Sequence, residues 1–156
     1  MTDRSIDVVL PEPHYTLFDT MRSDLPEIIV VNDALLGFQH IEVFAWHLEI
    51  TIDAKFLAEN GMPTTEESAT LFDVGDRIEK EIIGDNALFL SRSTWNGIRV
   101  LSFRIYDPEV AHAVLQRLLA EKPIIREWAY CMEQDIEWKL AAYIFKLFPL
   151  AKGFDA

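Results

Sequence analysis

The sequence predicts an α+β fold: a ferredoxin-like split β-α-β sandwich with an antiparallel sheet, an extra N-terminal strand and an extra C-terminal helix. Three observations support this prediction. An Asn-Gly turn joins two apolar runs between residues 86 and 106, two segments begin with helix-capping residues, and apolar side chains alternate over residues 41–51 and 124–133. From residue 41 the order is strand, helix, strand, strand, helix, strand and a final helix, which is typical of the split β-α-β succession.

The first 26 residues contain Pro11, Pro13 and Pro26 and no sustained period. We therefore expect an N-terminal arm or irregular cap over 1–26, with one short element near residues 15–21, followed by a single domain over 27–156. A first strand is predicted at 27–31. The alternation over 41–51 predicts a second strand with one buried face. The residues on that face are Phe44, Trp46, Leu48, Ile50 and Ile52.

Two helices have clear starting signals. Thr64 and Glu67 have the spacing of a capping box, in which each side chain binds the backbone amide of the other residue. Gly75 in the middle of this helix indicates either close packing against a sheet or a kink. Asp107 followed by Pro108 predicts the second start, because Asp caps well and Pro lacks the amide that the first turn leaves unpaired.

The Asn96-Gly97 turn predicts the register of the hairpin, because a two-residue type I′ loop places the flanking residues opposite each other. Arg92 and Arg99 then become diagonal neighbours on the apolar face, close to the turn. The expected pairs are Trp95 with Ile98, Thr94 with Arg99, Arg92 with Leu101, Leu90 with Phe103 and Leu88 with Ile105.

A third capped helix is predicted over 136–148, after Asp135. Its side chains are apolar over most of the circumference, which is typical of a helix between two layers. One of those layers could belong to another subunit.

Composition limits the possible functions. The chain has 156 residues, 50% of them hydrophobic, and its 26 acidic and 14 basic residues give a net charge of -12. Such a charge disfavours general binding to nucleic acids and anionic membranes. Cys131 is the single cysteine, expected to be a buried strand residue, so no intramolecular disulfide can form. No apolar run approaches the length of a membrane span, and we expect a cytoplasmic protein.

Four segments in order resemble the family DUF695, a bacterial domain of unknown function. The resemblance covers roughly residues 27–148 and implies neither an activity nor catalytic residues. The chain also resembles the protein regulator B of ribonuclease E activity, an acidic ferredoxin-like inhibitor. This second resemblance rests on the spacing of Asp135 and Trp138 and on the overall acidity. The four segments are Gly61-Met62-Pro63-Thr64, Ser91 to Arg99, Tyr106-Asp107-Pro108-Glu109 and Glu133 to Trp138.

Arg92 and Arg99 are the candidate ligand-binding residues. Guanidinium groups suit planar anions, so the pair could hold a carboxylate or phosphate; alternatively, each arginine pairs with one of the many acids of the chain. The four histidines and one cysteine have no zinc-binding spacing, so neither a metal nor another cofactor is expected. We identify no catalytic residue.

The favoured hypothesis is a non-enzymatic module that acts through self-association, for example as a homodimer, or through binding another protein. The final helix and an aromatic second face of the hairpin motivate this hypothesis, because both present more apolar surface than a small domain readily hides. The alternative is a small enzyme or anion-binding domain with a pocket near Arg92 and Arg99. The candidate interface residues are Trp95, Tyr106, Trp138, Phe145 and Phe148.

Overall fold

The computed structural model describes residues 8–148 and confirms the α+β class. Six antiparallel strands form one sheet in the order β1-β2-β4-β5-β3-β6. Residues 1–7 of the predicted arm and 149–156 of the predicted domain lie outside the described part. The elements are β1 Tyr15–Arg22, β2 Leu25–Asn32, β3 Trp46–Asp53, α1 Thr65–Ile82, β4 Ala87–Trp95, β5 Ile98–Ile105, α2 Pro108–Leu119, β6 Trp128–Gln134 and α3 Ala142–Phe145, with short 3-10 turns at Asp33–Leu35 and Lys139–Ala141.

Helices α1 and α2 pack on one face of the sheet, and the predicted starts of both are confirmed. The Thr64 hydroxyl accepts from the Glu67 amide at 3.2 Å, and Asp107 accepts from the Glu109 amide at 3.0 Å. At Gly75 the helix lies so close to β5 that a Cβ atom would be 3.1 Å from Leu101 Cδ1. The glycine therefore permits close packing of an unbroken helix. The order of β3, α1, β4, β5, α2 and β6 along the chain is as predicted. That this arrangement is ferredoxin-like stays a prediction.

The Glu67 side chain does not complete the capping box. Its carboxylate accepts from Arg126 Nε at 2.7 Å and Nη2 at 2.5 Å, and from the Lys55 amide at 2.6 Å. Glu67 is 1% exposed, so a bidentate buried ion pair replaces the local contact. This pair joins the start of α1 to the segment that precedes β6.

The hairpin turn is confirmed, with positive φ of 48° at Asn96 and 80° at Gly97. The predicted pairs hold from Trp95–Ile98 to Arg92–Leu101, but a β-bulge between Phe89 and Ser91 shifts the register beyond them. The predicted pairing of Leu88 with Ile105 and Leu90 with Phe103 is therefore wrong, because an inserted residue exchanges the two faces of a strand. Phe89 packs under the helices, and Leu88 and Leu90 pack on the second face.

The N-terminal region adds two strands to the sheet, where one extra strand was expected. The short element predicted near residues 15–21 is β1, which pairs with β2 along its whole length. Ser23 and Asp24, with φ of 51° and 66°, form the turn between them. The sequence signal is weak because neither turn residue is glycine and β1 is an exposed edge strand. The strand predicted at 41–51 begins later, at Trp46.

The predicted C-terminal helix over 136–148 is present only as α3, Ala142–Phe145, so its predicted start and length are wrong. Trp138 has a φ of 58°, which no right-handed helix accommodates, and only a 3-10 turn and the four-residue α3 follow it. Tertiary contacts override the helical pattern, since the Trp138 indole donates to the carbonyls of Ile41 and Phe44 at 2.9 and 3.0 Å. Residues from the segments 33–45 and 138–148 form a second core on the face opposite α1 and α2. No helix within 8–148 is long and apolar enough to cross a membrane.

Candidate functional site

A groove lies between α1 and the part of the sheet that the two helices leave uncovered. It encloses about 440 Å³ and is bounded by one side of α1 and by β1, β2, β4 and β5. We call it the arginine groove. Its lining residues are Tyr15, Val30, Leu71, Phe72, Gly75, Asp76, Glu79, Phe89, Arg92, Arg99 and Leu101.

The hairpin register brings Arg92 and Arg99 together at one end of this groove. Arg92 is paired with Leu101 and Thr94 with Arg99, so the two arginines point to the same face from adjacent strands. Both also line a smaller cavity of about 200 Å³ beside the groove, together with Thr94 and Ser68. The predicted juxtaposition of the two arginines is thus present, at the boundary of two cavities.

Among the described residues, neither Arg92 nor Arg99 forms an ion pair with an acid. Arg99 is 7% exposed, and its Nε donates to Thr94 Oγ1 at 3.1 Å. Burial and the positive charge of Arg92 lower the pKa of Arg99 to about 10. The Arg92 guanidinium lies 5.6 Å from the centre of the Phe72 ring. Within residues 8–148 no carboxylate oxygen is within 4.0 Å of either arginine, so two like charges share an apolar wall without a counterion.

The two acids of the groove differ in their partners. Asp76 pairs with Lys80 at 2.9 Å, whereas Glu79 has no ion pair among the described residues. Burial raises the pKa of Glu79, Asp76 raises it further, and Arg92 opposes both. Tyr15 lines the same groove. Burial and the charge of Glu79 raise its pKa, and the charge of Arg92 lowers it. The groove therefore has a cationic end and an end with an unpaired carboxylate.

A second buried arginine, Arg104, lies on the opposite face of the sheet and was missed by the sequence analysis. Its Nη1 donates to Asp135 Oδ2 at 3.0 Å and to His47 Nδ1 at 3.1 Å, and its guanidinium lies 4.6 Å from the Trp138 ring. Because arginine only donates, His47 Nδ1 accepts and the ring proton is on Nε2, 3.3 Å from Glu49 Oε2. This hydrogen bond is the main cause that lowers the pKa of Glu49.

All five candidate interface residues make contacts within their own chain. Trp138 is 5% exposed and stacks on Phe145 at 6.3 Å, while Phe148 meets Phe18 edge to face at 4.8 Å. The Trp95 indole donates to the Arg22 carbonyl at 2.8 Å. Tyr106 is 37% exposed and its ring lies 6.4 Å from that of Phe44. Much of the apolar surface that motivated the self-association hypothesis is therefore covered by the chain itself.

The remaining candidates are not brought together. Cys131 is exposed on the edge strand β6, so the expected burial is wrong. Partial desolvation of its thiol and the negative charges of Glu49 and Glu133 raise its pKa. Asp135 accepts from the Lys139 and Leu140 amides as well as from Arg104, which is a structural role. Within the described ranges, no group of three or more His, Cys, Asp or Glu residues is arranged to hold a metal ion.

Residues 16–144 match the family of unknown function DUF695. The chain belongs to DUF695. The match spans both long helices, strands β2 to β6 and all of β1 but its first residue, so it includes every residue that lines the arginine groove except Tyr15. No curated protein and no solved structure matches this DUF695 chain.

Proposed function

We propose that this DUF695 domain binds a small organic anion, with the carboxylate of the ligand held between Arg92 and Arg99. One observation supports the proposal above the others. Two adjacent guanidinium groups, one of them 7% exposed, open into a cavity of about 440 Å³ without an acidic partner among the described residues.

The two positive charges are costly to keep side by side without an acidic partner. A buried cation is unfavourable unless it is paired, and the mutual repulsion of Arg92 and Arg99 adds to that cost. A carboxylate between them would offset both contributions and accept hydrogen bonds from two planar donors. The lining beyond the arginines is largely apolar, with Val30, Leu71 and Phe89, and suits a hydrocarbon body.

A ligand with a single carboxylate group fits this site better than a phosphate. Asp76 and Glu79 line the same groove, and the chain has a net charge of -12, so a second negative charge on the ligand would be repelled. The residues that line the groove include neither serine nor cysteine nor histidine. The proposal is therefore for binding of the ligand and assigns no catalytic step to this lining.

The proposal can be tested by titrating the purified protein with hexanoate and with inorganic phosphate while backbone amide shifts are followed by NMR. We expect hexanoate to shift residues around Arg92 and Arg99, and phosphate to have little effect. Arg99→Met and Arg92→Met should each lower the hexanoate affinity about tenfold or more.

Arg117→Met is the matched control, because Arg117 is exposed, pairs with Glu81 and lies outside the groove. The affinity of the Arg117→Met variant for hexanoate should equal that of the unsubstituted protein. If hexanoate does not bind, or if the control loses as much affinity as Arg99→Met, the proposed function is wrong.

Self-association is a second candidate function, favoured by the outer edge of the sheet. Strand β6 is a terminal strand, and Ile124 and Ile125 just before it are 49% and 55% exposed. An open edge can pair with the edge of a second copy, which would form a continuous sheet.

Sedimentation velocity at micromolar concentrations tests this candidate. A dimer that Ile125→Lys dissociates, and that Ile83→Lys on the end of α1 leaves intact, would support it. A monomer over the whole concentration range would contradict it.

A further inference from the structure

We infer that the ligand of the arginine groove is an elongated amino carboxylate, with its carboxylate on Arg92 and Arg99, an apolar chain along α1 and a terminal ammonium group on Glu79. This inference rests on the proposed function and adds the second polar group of the ligand. It assigns a role to Glu79. Binding of a carboxylate by Arg92 and Arg99 alone would not involve this residue.

Helix α1 places the two ends of the groove at positions that a small molecule can bridge. Phe72, next to Arg92, and Glu79 both line the groove from α1. The offset of seven positions between them corresponds to about 10 Å of backbone along the helix axis, and the charges of Arg92 and Glu79 still interact across the groove. Leu71, Phe89 and Leu101 form the apolar wall between the ends. A compact anion would fill only the arginine end and leave the rest of the groove empty.

The charge pattern favours opposite charges at the two ends of the ligand. Arg92 and Arg99 have no carboxylate within 4.0 Å among the described residues, and Glu79 has no cation within that distance, although all three line one cavity. Asp76, the neighbouring acid, already pairs with Lys80. Glu79 is thus the carboxylate available to an incoming cation, and Tyr15 beside it can supply a further hydrogen bond.

The environment of Glu79 agrees with this assignment. It faces Arg92 and Arg99 from the strands, Tyr15 from β1 and Asp76 from its own helix. Burial and Asp76 both disfavour its charged form and raise its pKa. A ligand ammonium would reverse that effect. A zwitterion also has no net charge, so the overall charge of -12 does not repel it.

The test compares two probes that differ only in the amine: hexanoate and 6-aminohexanoate, titrated near neutral pH by NMR or calorimetry. We expect 6-aminohexanoate to bind about tenfold tighter than hexanoate to the unsubstituted protein. Glu79→Gln should remove this preference while hexanoate still binds. Asp76→Asn is the matched control and should retain the preference, because Asp76 is paired with Lys80.

The failures of the two proposals are distinguishable. Equal affinities for the two probes, with hexanoate still dependent on Arg99, would overturn this inference and leave the carboxylate site standing. The same holds if Asp76→Asn and Glu79→Gln lose the preference equally. If neither probe binds, both the inference and the proposed function are wrong. Circular dichroism of each variant confirms folding, which the half-buried position of Glu79 should permit.

Discussion

Strand β5 carries two buried arginines, Arg99 and Arg104, in opposite electrostatic situations. Arg104 is 0% exposed and is surrounded by Asp135, His47 and the Trp138 ring. Arg99 is 7% exposed, and among the described residues its guanidinium donates only to Thr94. Arg104 faces the second core, whereas Arg99 faces the arginine groove and its neighbour Arg92.

The difference separates a structural role from a functional one. The partners of Arg104 come from β3 and from the segment after β6, so this residue holds the second layer on the sheet. Arg99 contributes no comparable contact and is instead repelled by Arg92. A buried charge that the fold does not neutralise is a candidate for binding a ligand that does.

The largest expected effect comes from Arg104→Met. Removing one partner of a buried ion pair leaves Asp135 without its cation, and such losses cost about 3–5 kcal/mol. The free energy of unfolding, measured by urea denaturation, should fall by that amount. Arg117→Met, which removes an exposed pair, should change it by less than about 1 kcal/mol. Equal effects of the two substitutions would mean that Arg104 does not hold the second layer.

A smaller loss of stability is expected when the pH is lowered and Glu67, a third buried charged residue, is protonated. Arg126 lowers the pKa of Glu67 from 4.5 to about 2. Because the folded state binds this proton more weakly than the unfolded state, the contribution of Glu67 to stability is full above about pH 5 and is lost as the pH falls toward 2.

The shift of the Glu67 pKa corresponds to about 3 kcal/mol. Urea denaturation at several pH values should show a loss on that order between pH 5 and 2. In Glu67→Gln this part of the pH dependence should be absent. If the free energy of unfolding of the variant depended on pH as that of the unsubstituted protein does, other carboxylates would cause the acid sensitivity. Asp135 would be one candidate, because its pKa is also lowered.

The smallest expected effect on stability comes from Arg99→Met. Replacing an unneutralised buried cation by an apolar side chain of similar length removes the cost of burying its charge. We expect the free energy of unfolding without ligand to change by no more than about 1 kcal/mol, in the stabilising direction. A loss as large as that of Arg104→Met would show that Arg99 is structural and would remove the contrast between the two residues.

The parts of the fold that local chemistry controls were predictable. The Asn96-Gly97 turn, the cap of α1 at Thr64 and the cap of α2 at Asp107 all agree with the structure. The proximity of Arg92 and Arg99 followed from the turn, because both lie before the bulge in the pairing. The bulge itself has no glycine or proline signal, so the partners of Leu88 and Leu90 were predicted incorrectly.

The sequence by itself determined the fold class, the order of the main elements and the pair of arginines, because each depends on residues close together in the chain. The tertiary structure decided the rest. Whether Arg99 and Arg104 are neutralised depends on residues from other strands and from the segment after β6. Trp138 leaves the helical conformation for contacts with carbonyls more than 90 residues away in sequence. Long-range burial and hydrogen bonding outweighed the local helical pattern there. Among the described residues they also left Arg99 and Glu79 without oppositely charged partners in one groove.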